Sequence, residues 1–95
     1  MILAKTLYFA DGETRKVEQQ WAAECEKRGT TISSSSWDFA NGTASSPAVT
    51  GTKATCLLTP TSCGMLTNTV ALANGETLVA TRAIAMNGSQ PRDYV

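Results

Sequence analysis

The sequence predicts an all-β fold, a sandwich of short antiparallel strands, and three observations support this class. From Gly29 onward threonine and valine are frequent, and Gly, Asn and Pro recur at short intervals, so that β-rich runs of about 5–8 residues lie between turns. Asn74-Gly75, a strong hairpin signal, stands between two such runs. Helical periodicity is scarce, and 95 residues support a single domain.

The pattern predicts four strands, at about residues 30–39, 52–59, 66–72 and 76–86. In the second, "KATCLLTP", alternation places Ala54, Cys56 and Leu58 on one face, and Pro60 ends the strand. In the last strand Arg82 interrupts a face that is otherwise apolar.

The segment "EQQWAAECEKR", residues 18–28, allows two interpretations. Its helix formers end before Gly29, a suitable C-cap, which favours a short helical turn. A strand at 14–21 is the alternative, because it would place Val17 and Trp21 on one face. The sequence leaves this choice open.

The stretch "TISSSSWDF", residues 31–39, places four serines between Ile32 and Trp37. An odd number of steps separates these two apolar residues, so a regular strand would direct them to opposite faces. If both belong to the core, a β-bulge must lie among residues 33–36.

The ends of the chain are predicted to be segments outside the sandwich. "ADGET" at 10–14 resembles "ANGET" at 73–77, and Asp11-Gly12 is interpreted as the turn where the domain begins. Residues 1–13 then form an extended N-terminal arm, 14–87 the domain and 88–95 a C-terminal tail. In the arm, Leu3, Leu7, Tyr8 and Phe9 are available to bind a partner.

The charge balance argues against several functions. Eight basic and eight acidic side chains give a formal net charge of zero, which disfavours nucleic-acid binding. No stretch is predicted to cross a membrane, and the N-terminus does not read as a signal peptide, so synthesis in a cytosol is expected. A chain with little charge repulsion suits a larger assembly.

Catalytic and metal-binding residues are not predicted. The chain contains no histidine, which removes the commonest general base, the usual activator of serine and a common metal ligand. Cys25, Cys56 and Cys63 lack the C-x-x-C spacing of zinc sites and are interpreted as reduced thiols. We therefore expect no enzyme activity, no metal and no cofactor.

Residues 17–86 carry a resemblance to a known group of proteins. Trp21 is followed by "GTTISSSSW", then "TKATCLL", and finally "LTNTVALANGETLVATRAIAM". This order resembles that of small Ig-like virion proteins of tailed bacteriophages, the fibre–tail adaptor and head or tail decoration proteins. By that resemblance Trp21 is the tryptophan of the early strand, and Ile32 and Trp37 belong to the core of the second strand. Residues 67–70 form the first hairpin arm with Gly75 in its turn, and Arg82 lies on the returning strand.

The resemblance implies an Ig-like antiparallel β-sandwich that serves as a non-enzymatic structural protein of the virion, made in the host cytoplasm. Its partners would be other capsid, tail or fibre proteins, and it would be present in many copies or as a homo-oligomer. Strand edges, the N-terminal arm and Tyr94 in the tail would make the contacts. The core is then predicted to comprise Trp21, Ile32, Trp37, Leu58, Val70 and Ile84.

A binding module is the alternative hypothesis. In this interpretation Trp37 and a loop at 41–46 form a platform for a carbohydrate or a peptide. Exposure of the Trp37 ring separates the two hypotheses, because a stacking platform must be open to solvent.

Overall fold

The computed structural model describes residues 2–3 and 6–88, and their fold is all-β with two packed sheets. The described residues form eight strands and one helix. These elements are β1 (Ile2–Leu3), β2 (Leu7–Ala10), β3 (Arg15–Gln20), α1 (Ala22–Arg28), β4 (Ile32–Asp38), β5 (Gly42–Thr50), β6 (Lys53–Pro60), β7 (Gly64–Leu72) and β8 (Thr77–Gly88).

The two sheets differ in size. The five-stranded sheet has the order β1-β8-β7-β4, with β2 also paired to β8, and the three-stranded sheet has the order β3-β6-β5. Strands β1 and β2 run parallel to β8, whereas the other pairs are antiparallel. The chain thus crosses from one sheet to the other several times, and the core lies between them.

The predicted hairpin is confirmed as β7 and β8. Ala71 pairs with Thr77 at its closed end, and the Glu76 backbone N–H donates to Asn74 Oδ1 over 3.0 Å. Gly75 adopts a φ of +97°, which an L-residue with a side chain rarely adopts. The local Asn-Gly signal therefore identified the turn.

Both interpretations of residues 14–28 are correct for part of the segment. Strand β3 ends at Gln20, and α1 begins at Ala22. Gly29 ends the helix in the left-handed conformation, and its backbone N–H reaches the carbonyls of Cys25 and Glu26. Trp21 lies at the junction and is buried.

The bulge expected in the serine stretch is confirmed. Ile32 pairs with Leu72 and Ser34 pairs with Ala71, so Ser33 is the extra residue in β4. The bulge lets Ile32, which is buried, and Trp37, which is partly buried, face the same core.

The loop predicted at 41–46 is wrong. Residues 42–50 form β5, which pairs with β6 and has a register irregularity between Ser45 and Ala48. Ser46 adopts a φ of 51° there, and Pro47 follows it. Most of β5 is exposed, so it lacks the apolar alternation by which a strand is recognised.

The extended N-terminal arm is not confirmed, because β2 is part of the five-stranded sheet. Leu7 pairs with Ile84 and Phe9 pairs with Met86. Phe9 is 0% exposed and belongs to the core. The Asp11-Gly12 turn therefore leads from one sheet to the other. Tyr94 and the rest of the predicted tail beyond Gly88 lie outside the described residues.

The core consists of two adjoining clusters. One lies around Phe9, Leu58, Leu66 and Ile84, and the other surrounds Trp21 near α1. Trp37 packs against both. Five of the predicted core residues are buried, and Trp37 is partly buried: Trp21, Ile32, Leu58, Val70 and Ile84 are the buried set.

Candidate functional site

The outer surface of the five-stranded sheet is the candidate functional site, and strand register determines its members. Residues directly opposite each other on paired strands share a face. The side chains of three such pairs point away from the core: Met65–Ala83, Thr69–Val79 and Tyr8–Ala85. We call this surface the Thr-Ala face, and its members are Tyr8, Ser34, Ser36, Asp38, Met65, Thr67, Thr69, Ala71, Thr77, Val79, Thr81, Ala83 and Ala85.

The Thr-Ala face carries large apolar side chains and very little charge. Tyr8 is 56% exposed, Met65 54% and Val79 43%. Among the face residues named above, Asp38 is the single ionisable group other than the Tyr8 phenol, and it lies on β4, an edge strand. Most of the other members are alanine, serine or threonine, so the face has few long side chains to prevent close approach.

The outer surface of the three-stranded sheet is chemically different. It displays Lys16, Glu18 and Lys53, and the Lys53 Nζ lies 3.5 Å from a Glu18 carboxylate oxygen. The second Glu18 oxygen lies 4.0 Å from the Lys16 Nζ. Exposed ion pairs of this kind are typical of a solvated surface. The outer surface of the three-stranded sheet therefore carries paired charges beside the exposed Leu57, whereas the Thr-Ala face carries almost no charge.

One cluster of polar side chains lies within the core, behind the Thr-Ala face. The indole Nε1–H of Trp21 donates to Asn68 Oδ1 over 2.9 Å. The Asn68 amide then donates to the Ser36 carbonyl over 3.0 Å. The cluster joins the end of β3 to β7 and β4, which fixes the position of the two sheets relative to each other.

A small cavity lies beside this cluster. It has a volume of about 10 Å³ and is lined by residues that include Gln19, Trp37 and Arg82. Among the residues that the structure describes, neither the Trp37 indole N–H nor the Arg82 Nε has a hydrogen-bond partner. Burial lowers the pKa of the Arg82 guanidinium. A space of this size is that of one water molecule, so it is too small for an organic ligand.

Trp37 does not form the platform that the binding-module hypothesis requires. Its partner across the ladder is Asn68, which is buried, and the ring packs against both core clusters. The loop that would complete the platform is mostly strand β5. The residues of that hypothesis are thus not brought together on the surface.

The cysteines occupy contrasting environments. Cys25 and Cys56 are buried, whereas Cys63 is exposed. Burial raises the pKa of the Cys56 thiol to about 11, which keeps it protonated and a poor nucleophile at neutral pH. Within residues 2–3 and 6–88, no three His, Cys, Asp or Glu side chains come together as a metal site would need.

The predicted partner-binding residues separate into different environments. Tyr8 lies on the Thr-Ala face, Leu7 packs partly against the core, and Phe9 is buried within it. The backbone of Leu3, in β1, pairs with that of Thr81, in β8. Tyr94 lies outside the described residues. Among the members of this set whose side chains the structure describes, Tyr8 is the strongly exposed one.

Met65 and Val79 are not among the residues predicted from the sequence. The signal that would find Val79 is the alternation in β8, where Thr77, Val79 and Thr81 face outward. That alternation shows which residues share a face. It does not show which of the two faces is buried until β8 is placed in its sheet.

Comparison with protein-family models and with curated proteins finds no match in either case. In the described part of the chain, no helix has both the length and the apolar character needed to span a membrane.

Proposed function

We propose that the protein is an Ig-like β-sandwich that acts as a non-enzymatic structural protein of a bacteriophage virion. It docks on a neighbouring subunit through the Thr-Ala face. In this role it cements or decorates the capsid or tail, or joins a fibre to the tail.

The strand order supports the Ig-like assignment. If β3 to β8 are taken as strands B to G, the three-stranded sheet has the order B-E-D and the larger sheet contains C, F and G as neighbours. A constant-type immunoglobulin domain has the same neighbours in its two sheets, A-B-E-D and C-F-G, apart from strand A. The departure is at the N-terminus, because β2 pairs with β8 instead of joining β3 in the smaller sheet.

The Thr-Ala face is the observation that carries the docking role. The centres of protein interfaces are depleted of charge and enriched in aromatic residues and Met. Tyr8, Met65 and Val79 supply the apolar area. The absence of charge across β7 and β8 at outward positions removes the desolvation cost that charged side chains would add.

The assignment to a virion is supported by the sequence resemblance. The residues that carry it lie in the folded domain, where Trp21 and Val70 are core residues and Gly75 is in the hairpin turn. The resemblance concerns a structural role in an assembly, and such a role requires a face that can dock on a neighbour.

Copurification with phage particles tests this proposal. The protein is expected to cosediment with intact virions of the phage that encodes it, and a Met65→Glu variant is expected to lose most of its occupancy, because a buried carboxylate would be unpaired in the interface. Leu57→Glu, a change at an exposed large apolar residue on the outer surface of the three-stranded sheet, serves as the matched control. If wild-type protein is absent from purified particles, the proposed function is wrong.

A further inference from the structure

We infer that the occupant of the Thr-Ala face is a second copy of this chain, so that two sandwiches pack face to face as a two-fold dimer. The inference rests on the proposed docking role of this face and names its partner. The basic unit of assembly is then a four-layered dimer with the two five-stranded sheets in the middle.

Charge is the first argument for a second copy. A two-fold interface brings the same surface of both subunits together, so charged residues at its centre would meet charges of the same sign. The central strands β7 and β8 present no charged residue outward between Met65 and Ala71 or between Thr77 and Ala85. A second copy therefore meets no like-charge repulsion across these two strands, whereas a strongly charged partner would lose hydration without gaining an ion pair.

Asp38 does not oppose this arrangement. It pairs with Thr67 from β4, at the edge of the sheet, and its side chain is exposed. At the rim of the interface the carboxylate keeps contact with water, as rim residues of protein interfaces do.

The area of the face is the second argument. Four strands about 4.8 Å apart, with up to nine residues that each rise about 3.4 Å, give a face of roughly 500 Å² per copy. Two copies would bury roughly 1,000 Å², which is more than most crystal contacts bury and fits a weak dimer that forms with rising concentration.

The shape of the face is the third argument. Its small members, such as Ala71, Ala83 and Ala85, permit another sheet to approach to the roughly 10 Å at which sheets pack. Tyr8 and Met65 lie toward one end of β8, and Val79 lies near the hairpin end. The positions between them on β7 and β8 are alanine and threonine, so the centre of the face has only small side chains.

Sedimentation velocity and light scattering of the purified chain test the inference. Wild-type protein is expected to have a mass that rises with concentration from monomer to dimer. Val79→Lys places a charge within the face and is expected to remain a monomer at every concentration. Leu57→Lys is the matched control, because Leu57 is 39% exposed on the other sheet against 43% for Val79, and it is expected to dimerise as wild type does.

A second variant protects the test from a folding defect. Thr69 lies opposite Val79 on the same face, and Thr69→Lys is also expected to be monomeric, with circular dichroism and a denaturation midpoint showing that it is folded. Folded Val79→Lys or Thr69→Lys protein that dimerises as wild type does would overturn the inference.

The dimer and the proposed function fail in different ways. Wild-type protein that is monomeric at all concentrations and still cosediments with virions overturns the dimer and retains the structural role. A dimer that is lost in Val79→Lys, formed by a protein absent from virions, overturns the structural role and retains the second copy as the occupant of the face.

Discussion

Trp21 and Asn68 form a hydrogen bond across the interior of the sandwich, from the indole Nε1–H to Oδ1 over 2.9 Å. Both residues are buried. They are 47 positions apart in the sequence, and they join the N-terminal boundary of α1 to the strand β7. The contact gives the core a polar element with a defined geometry, which apolar packing alone does not provide.

Replacement of Asn68 by leucine is expected to destabilise the fold by about 1–3 kcal/mol, because the buried Trp21 indole N–H would lose its acceptor. The Ser36 carbonyl would lose its donor as well. Urea denaturation followed by tryptophan fluorescence measures the change. Thr69→Ala, one position along the same strand and outside the core, is the control, and an equal loss in both variants would contradict the role given to the hydrogen bond.

Phe9 and Tyr8 provide a test of the N-terminal strand. Phe9 is 0% exposed, and the Arg15 guanidinium lies 4.2 Å from the centroid of its ring. Phe9→Ala is expected to cost about 3–5 kcal/mol of folding free energy, because it opens a cavity in the core.

Tyr8→Ala is the neighbouring control and is expected to change the free energy of unfolding by no more than about 0.5 kcal/mol, since this side chain faces outward. Chemical denaturation at low protein concentration keeps association out of the comparison.

The burial of Phe9 in the core also predicts that removal of residues 1–10 impairs folding. A truncated chain with the stability of wild type would show that β2 is a dispensable arm.

Gly42 is required for space between β5 and β6. A Cβ atom at this position would lie 2.5 Å from the Thr59 carbonyl oxygen and 2.7 Å from Pro60 Cα, both of them backbone atoms. We expect Gly42→Ala to destabilise the protein by about 1–3 kcal/mol, as overpacking does. Thermal unfolding by circular dichroism measures the effect.

Gly64→Ala is the control for Gly42→Ala. The nearest atom to its Cβ is the side-chain Nδ2 of Asn41, at 2.8 Å, which can move more easily than a backbone carbonyl. We expect a smaller loss of stability there, and a larger loss in Gly64→Ala than in Gly42→Ala would contradict this account of the packing.

The sequence predicted the elements whose signals are local. Asn74-Gly75 identified the β7–β8 turn because the dipeptide suits the turn conformation itself. The number of steps between Ile32 and Trp37 predicted the bulge because strand periodicity alone fixes which side a residue faces. In both cases the relevant information lies within about ten residues of sequence.

Two strands whose burial or exposure depends on distant pairing, β2 and β5, were not predicted. β5 has exposed residues on both sides over most of its length, so its pairing with β6 leaves no apolar alternation in the sequence. Phe9 is buried through the parallel pairing of β2 with β8, more than 70 residues further along the chain. The Thr-Ala face depends on the registers of three strand pairs, so Val79 and Tyr8 become members of one surface only after folding.

Cys56 and Cys63 should differ in reactivity. Cys63 is exposed, whereas Cys56 is buried with its pKa raised to about 11. At neutral pH a thiol reagent is expected to label Cys63 in the folded protein and to reach Cys25 and Cys56 only after denaturation. Native Cys63→Ser protein should therefore be almost unreactive, and rapid labelling of this variant would contradict the burial of the other two thiols.

Cys56 should also contribute a pH-dependent part of the stability. Its pKa is raised by burial, so the folded state holds the thiol proton more tightly than the unfolded state does. The stabilisation from the protonated Cys56 thiol is complete below the unfolded-state pKa of about 9. It is lost as the pH rises toward about 11, because ionisation then stabilises the unfolded chain.

Urea denaturation of wild type and Cys56→Ala between pH 8 and 11 measures this effect, because the range runs from below the unfolded-state pKa to the folded-state pKa. Wild type is expected to be the more stable protein at the lower end, by the packing of the buried sulfur, and the difference is expected to shrink as the pH rises. A difference that stays constant across the range would show that the Cys56 thiol ionises equally in the folded and unfolded states.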